Sequence, residues 1–349
     1  MQRLKLAPDY EISRIIRGGW QLAAGHGAAM SKDSIEDMIA FADAGVTAFD
    51  CADIYTGVEE MIGRFRLHYL AERGKEALQR IRIHTKFVPD LDILPRIAKR
   101  DVERVIDRSL SRLKMDRLDL VQFHWWDYDV PGWMETAHWL EELRKAGKIQ
   151  LLGGVNFDPE HMRRLVRGGA PMVSMQVQYS LLDRRPEKTM IEAAETLDVR
   201  LLCYGAVAGG FLSDRWLGAA APQGALQNRS LVKYRLIIEE FGGWDLFQAL
   251  LGALREIADR HACDIATVAS AAILGRPGVA AIVVGARDRA HLEANLGISR
   301  VRLAAEDVAL IDRVLADAKP LPGEVYELER DRAGRHGSIM KYNLNKEVA

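Results

Sequence analysis

Residues 149–177, IQLLGGVNFDPEHMRRLVRGGAPMVSMQV, decide the fold. Ile149–Phe157 is a short apolar run without strict alternation, the pattern of a strand buried on both faces. Asp158-Pro159 follows it. An aspartate accepts hydrogen bonds from the free N–H groups that open a helix, and a proline at the first helical position has no N–H to waste. The helix so begun is expected to run over Asp158–Val166. Met172–Val177 is then a second apolar run. Strand, helix and strand in succession predict a parallel crossover unit.

The same alternation extends in both directions. Upstream lie the runs Ile15–Trp20, Val46–Asp50, Ile81–Phe87 and Leu118–His124; downstream lie Val199–Tyr204 and Val279–Gly285. Helix signals separate them. Ser31 is placed to cap Lys32–Ala44, which Gly45 ends. Ala98–Leu113 carries Val102, Val105, Ile106, Leu110 and Leu113 at helical spacing. Met134–Ala146 ends at Gly147, and Glu187–Leu197 and Leu246–Arg260 continue the series. Eight strands alternating with helices predict a parallel sheet that closes on itself, an α/β (β/α)8 barrel of the TIM type. Arg3–Ser13 reads as an N-terminal hairpin turning at Pro8-Asp9 and plugging the barrel floor. Gly205–Gly243 reads as a long loop after strand seven, and an excursion of that length is functional or carries structure of its own. Residues 1–318 are expected to form the barrel domain, and residues 319–349 a polar C-terminal tail lying over it.

Composition narrows the function. The 349 residues carry a net charge of −1 and are 48% hydrophobic, enough to bury a large core in one domain. Near-neutral charge gives no footprint for nucleic acid or an acidic membrane. No run of apolar residues is long enough to span a bilayer, and the first residues, MQRLKLAPDYEIS, have no signal-peptide core. Cys51, Cys203 and Cys263 are few, odd in number and widely spaced, which fits a reducing cytoplasm rather than a disulfide framework or a zinc site.

In such a barrel the chemistry sits at the C-terminal ends of the strands. The second strand leads into Asp50-Cys51-Ala52-Asp53-Ile54-Tyr55. The third ends in His84-Thr85-Lys86, the fourth in Gln122-Phe123-His124-Trp125-Trp126, and the fifth in Gly153-Gly154-Val155-Asn156-Phe157. Neighbouring strands therefore bring Asp50, Tyr55, Lys86 and His124 to one rim. Taken singly, each has a plain structural reading: a cap, a loop residue, a solvated charge, a core histidine. Taken together they suit carbonyl reduction, in which hydride arriving at carbon leaves an alkoxide in need of a proton. An ammonium beside a phenol favours the phenolate and lowers its pKa from ~10. Asp50 would hold Lys86 in place, and His124 would orient the carbonyl oxygen or assist proton transfer.

These segments also carry a resemblance. FDCADIY (49–55) resembles the FDTAxxY segment of aldo-keto reductases. HTK (84–86), QFHW (122–125), GGVNF (153–157), SMQVQY (174–179), LLCYGAVAGGFL (201–212) and AIVVGAR (281–287) are similar, in order, to that family's successive strand ends. The resemblance spans Ile12–Leu296. It implies that Asp50, Tyr55, Lys86 and His124 form a catalytic tetrad with Tyr55 as general acid–base.

No GxGxxG or GxxxxGK[ST] occurs, so a Rossmann or P-loop site is unsupported. Gly285-Ala286-Arg287-Asp288-Arg289 instead follows the eighth strand and opens a helix near His291–Asn295, where N–H groups and arginines suit a phosphate. The resemblance implies NADP(H) as cofactor. Asn156 and Gln176 would hold the nicotinamide carboxamide and Tyr204 would stack on the ring. Arg215 and Leu212, within Phe211–Arg215, would follow the pyrophosphate. Arg287 and Asn295 would meet the adenosine end, and Gly19, Trp20 and Gly285 would complete the contacts. The sequence departs from the family's common residues at Val155, His291 and Ala294. Trp20, Trp125 and Phe157 are expected to wall a substrate pocket. Trp126, Trp216 and Trp244 are further aromatics near the rim. The implied partner is a small carbonyl or alcohol, in either direction of reaction; no nucleic-acid or membrane partner and no metal are expected. A cofactor-binding regulatory module similar to potassium-channel β subunits is the alternative. The histidines lack the HxH and HExxH spacings of a metal-dependent hydrolase.

Overall fold

Ten strands organise the chain: β1 (Arg3–Ala7), β2 (Tyr10–Ser13), β3 (Ile15–Gly18), β4 (Ala48–Asp50), β5 (Arg82–Phe87), β6 (Leu118–Phe123), β7 (Ile149–Val155), β8 (Met172–Gln178), β9 (Arg200–Tyr204) and β10 (Val279–Gly285). They are seen in a computed structural model that describes residues 1–23, 34–224, 226 and 229–345. β3 to β10 are all parallel and close into a barrel in chain order, the seam joining Ile282 of β10 to Ile15 of β3. The eight expected runs are these eight strands. Helices such as Lys99–Leu113, Trp133–Lys145 and Pro159–Arg167 lie between them. Asp158 caps the last of these by accepting from His161 N, with Pro159 at the first position.

Two helices that the sequence reading did not find were hidden for physical reasons. Val58–Leu78 is helical on either side of a break at Gly74 (φ 80), and its buried residues crowd the first half (Val58, Met61, Ile62, Phe65) with only Tyr69 and Ala77 beyond, so no continuous apolar face marks it. Ile265–Leu274, IATVASAAIL, is buried on every side and has no amphipathic period to detect. The excursion after β9 holds the helix Arg229–Phe241 and runs directly into Trp244–Arg260. The expected cap Ser31 lies outside the described residues.

The hairpin β1–β2 turns at Pro8-Asp9 and closes the floor. Leu6, Tyr10 and Ile12 pack against Ile16, Ala48, Leu120, Leu202, Ala280 and Ala281 from the barrel interior. Ser13 Oγ accepts from Thr47 N and Ala48 N, both at 3.1 Å. The Arg14 guanidinium donates to the carbonyls of Leu274 (2.7 Å), Val279 (2.8 Å) and Ala280 (2.9 Å). At the other end, the segment after Lys319 touches the rim repeatedly. Lys188 Nζ donates to Leu321 O and Gly323 O, His336 Nε2 lies 2.9 Å from Glu240 Oε1, and Asn345 Nδ2 donates to Val88 O.

Candidate active site

Asp50 ends β4, and its carboxylate is the convergence point of four strands. Lys86 Nζ, from β5, lies 2.5 Å from Asp50 Oδ2 and donates to Cys51 O at 2.8 Å. Gln122 of β6 and Gln176 of β8 each donate an amide N–H to Asp50 Oδ1, at 2.9 and 2.7 Å, and Gln176 Nε2 also donates to Gln122 Oε1. Lys86 lies opposite Gln122, Gln122 opposite Gly153, and Gln176 opposite Val155, two residues beyond Gly153 on the same face, so the register turns all three side chains inward. Burial by itself would lower the Lys86 ammonium, but Asp50 and Tyr55 outweigh it and hold its pKa above the ordinary value.

Tyr55 reaches the same point from the turn after β4. Lys86 Nζ lies 5.0 Å from its ring centroid, and Trp20 packs edge-on at 5.0 Å. Burial pushes the Tyr55 phenol up to about 12, although the Lys86 ammonium pulls it down. The expectation of a lowered phenol is thus corrected: in this barrel desolvation outweighs the ammonium.

His124 follows β6 and is buried between Trp126, at 4.3 Å, and Tyr326, at 5.6 Å, both edge-on to it. Burial and the nearby Arg330 guanidinium bring its pKa down to about 3, so the imidazole is neutral. Its Nδ1 lies 3.0 Å from Val155 O. A carbonyl only accepts, so Nδ1 carries the proton, and Nε2 is a bare acceptor with no partner among the described residues.

The other expected residues divide into groups. Gly19 N donates to Asp50 O at 2.8 Å, and a Cβ at Gly19 would come within 2.8 Å of that same oxygen. Trp20 begins a single 3-10 turn beyond β3. Asn156 is left-handed (φ 62) and accepts from Tyr204 OH at 2.9 Å. The N–H groups of Gln176 are committed to Asp50 and Gln122, which leaves its Oε1 for a ligand. Leu212 is wholly buried, whereas Arg215 is exposed and stacks on Trp216. Gly285 and Arg287 are exposed at the end of β10, and Asn295 is buried with Nδ2 unpartnered. Trp125 and Phe157 stand apart from the tetrad. Both are fully buried; the Trp125 indole N–H donates to Asp127 O and Val130 O, and Phe157 packs on Phe123 and Tyr128. Trp126, with Tyr326, takes the place against His124.

Sequence reasoning missed several residues here. Arg17 lies under the loop after β10, donating to Ala286 O and Arg287 O, with Nη1 unpartnered and its pKa lowered to about 10 by burial, which Asp37 and Asp288 oppose. Its only sequence signal is an arginine inside an apolar strand. Arg330 donates to Trp125 O (2.5 Å), Trp126 O (2.7 Å), Tyr128 OH (2.8 Å) and Asn156 O (2.7 Å). Glu329 is buried, held by Arg185 and by Lys233 of the excursion helix. Nothing in the polar C-terminal sequence marks these residues.

Asn295 Nδ2 and Arg17 Nη1, donors without a partner among the described residues, fit a dinucleotide laid from the tetrad to the loop after β10. A family model described as the Aldo/keto reductase family matches residues 14–316. The chain belongs to that family. This aldo/keto reductase is 30% identical over 315 residues to aldo-keto reductase YhdN of Bacillus subtilis (strain 168), a match covering 87% of this chain and 90% of that one. It is 26% identical over 235 residues to the NADH-specific methylglyoxal reductase of Escherichia coli (strain K12), covering 66% and 69% of the two chains. The glycerol dehydrogenase AKR11B4 of Gluconobacter oxydans shares the fold, with a TM-score of 0.73 at 24% identity over 90% of this chain and 95% of that one. The aldo/keto reductase described here is therefore an oxidoreductase acting on carbonyl or alcohol groups, in a family that uses nicotinamide cofactors. Among the described residues, no helix is long and apolar enough to cross a membrane.

Proposed function

We propose that this reductase transfers hydride between NADP(H), in preference to NAD(H), and a small aldehyde, ketone or sugar, with Tyr55 as general acid–base. The observation that carries the reading is the Lys86 ammonium, held 2.5 Å from the Asp50 carboxylate and 5.0 Å from the Tyr55 ring centre. The bound nicotinamide supplies or accepts the hydride. In reduction Tyr55 gives its proton to the developing alkoxide, and Lys86 stabilises the phenolate left behind. Burial keeps the phenol loaded at neutral pH. Neutral His124, with Nδ1–H engaged by Val155 O, offers only the lone pair of Nε2. It therefore accepts the O–H of an alcohol and does not donate to a carbonyl, and donation falls to Tyr55.

Asn156, the Oε1 of Gln176, Tyr204 and Trp20 would hold the nicotinamide end, and Arg215 the pyrophosphate, with wholly buried Leu212 behind it. Arg287, Gly285 and Asn295 would hold the adenosine end. The preference for NADP(H) rests on Arg287, whose guanidinium has no partner among the described residues, and on Arg17 beneath it. Arg289 is paired with Asp37, and Asp288 is committed to capping Ala290 N. Free thiols at Cys51, Cys203 and Cys263 support a cytoplasmic enzyme.

Tyr55→Phe tests the reading. Reduction of 4-nitrobenzaldehyde should slow by ~10²–10⁴, while fluorescence titration shows NADPH binding nearly unchanged. A variant as fast as the wild type would remove Tyr55 from the chemistry.

A further inference from the structure

We propose that the substrate carries a carboxylate beside its carbonyl-bearing part, and that Lys233 is the residue that selects it; this rests on the hydride-transfer reading above. The helix Arg229–Phe241 turns one face to the tetrad. Ser230 Oγ accepts from the Trp20 indole at 3.4 Å, and Trp20 is the ring packed edge-on against Tyr55. Lys233 stands one turn further along the same face. Its ammonium lies 5.5 Å from the Tyr204 ring centre, and 5.7 Å from those of Tyr234 and Tyr326. Tyr326 is also the ring packed against His124. Lys233 thus belongs to the wall of the reaction site.

Its charge is only partly answered. Lys233 is 12% exposed, and its carboxylate partner is Glu329 at 3.4 Å. Both Glu329 oxygens are already taken by the Arg185 guanidinium, at 3.0 and 3.1 Å. An ammonium has three N–H donors, and three aromatic rings also surround this one. Burial accordingly lowers the Lys233 pKa against the pull of Glu329. Arg330, 5.6 Å from the Tyr326 ring centre, spends its terminal N–H groups on neutral oxygens and has no carboxylate partner among the described residues. Lys233 shares its carboxylate, Glu329, with Arg185, which already holds both oxygens, so its charge is the least fully answered of the cations here, and an incoming anion gains most where solvent screens it least. Tyr55, Trp20, Tyr204 and Lys233 are each partly open to solvent.

The test compares two aldehydes that differ only at the far end of the ring, 4-carboxybenzaldehyde and its methyl ester. Wild-type kcat/KM should favour the acid by about tenfold or more, and terephthalate should inhibit competitively where its dimethyl ester does not. In Lys233→Met the acid-to-ester ratio should collapse to about one, whatever the variant's absolute rates; Lys233→Arg should keep the preference. Equal wild-type rates on acid and ester, or equal losses on both in Lys233→Met, would overturn the proposal. The two readings fail separately, because Tyr55→Phe must silence both aldehydes whatever Lys233 does.

Discussion

Exchange of Glu329 for Gln removes one charge and almost no volume, and so isolates what holds the C-terminal segment over the rim. Glu329 is fully buried, with Arg185 bidentate at 3.0 and 3.1 Å and Lys233 at 3.4 Å. Burial alone would raise its pKa, but Lys233 and Arg185 outweigh that and hold the carboxyl far below its usual range. In Glu329→Gln, Arg185 keeps Asp183 at 2.7 Å, whereas Lys233 loses its carboxylate. Breaking one side of a buried pair costs about 3–5 kcal/mol. If the segment opens as a local unit, about 3 kcal/mol is a more than ~100-fold rise in opening. Native-state hydrogen exchange reads this directly. The amides of Arg330, Ser338 and Met340, which donate to Tyr326 O, Gly334 O and Gly337 O, should exchange ~100-fold faster, with β5 and β6 unaffected. Unchanged protection in this segment, or an equal loss across the barrel, would refute the charge latch. The pH dependence has a fixed sign. Because the folded pKa is depressed, the Glu329 contribution is complete above the unfolded carboxyl value of about 4.3 and declines as pH falls below it toward the folded value. Tail exchange in the wild type should accelerate in that acid range, and the variant should lack the step.

Four further outcomes are expected. Lys86→Met should lower stability by about 3–5 kcal/mol, since the pair is buried, and cut turnover by at least ~10²; a variant with wild-type turnover would contradict the role given to the ammonium. The rate of reduction should be level from about pH 5 to 9, because Tyr55 loses its proton only near about 12 and His124 gains one only near about 3; a limb at pH 6–7 that vanishes in His124→Gln would show His124 acting as an acid. Arg287→Leu should weaken NADPH binding about tenfold or more by fluorescence quenching while sparing NADH, and equal losses would remove Arg287 from the 2′-phosphate. Gly19→Ala should cost about 1–3 kcal/mol in denaturant unfolding, since the new Cβ meets Asp50 O and Val58 Cγ1 at 2.8 Å; wild-type stability would mean the strand end yields freely.

The barrel was legible because its strands are buried on both faces, so Val, Ile and Leu fill runs such as Leu118–Phe123 without interruption. The neighbourhood of Asp50, Lys86 and Tyr55 was legible for a related reason: parallel strands end together, and a polar residue at such an end has few places to go. Ile265–Leu274 was not legible, because a helix buried all round carries no period. Nor was the orientation of Trp125 and Trp126, adjacent residues that point opposite ways. The grip of Arg330 depends on backbone carbonyls, which any sequence presents, and the pairing of Glu329 with Arg185 spans a separation no local pattern encodes. The Tyr55 pKa turned on desolvation, a property of the assembled site.

The hairpin also bears on how the chain is made. Its apolar side chains Leu6, Tyr10 and Ile12 leave the ribosome long before partners that include Leu202, Ala280 and Ala281. Arg14 likewise waits for the carbonyls of Leu274, Val279 and Ala280, about the last of the barrel to be synthesised. The hairpin can pair with itself early, but its packing is complete only when the barrel has closed, a late, long-range event. Nascent chains that stop short of β10 should therefore need chaperone cover that the closed barrel does not.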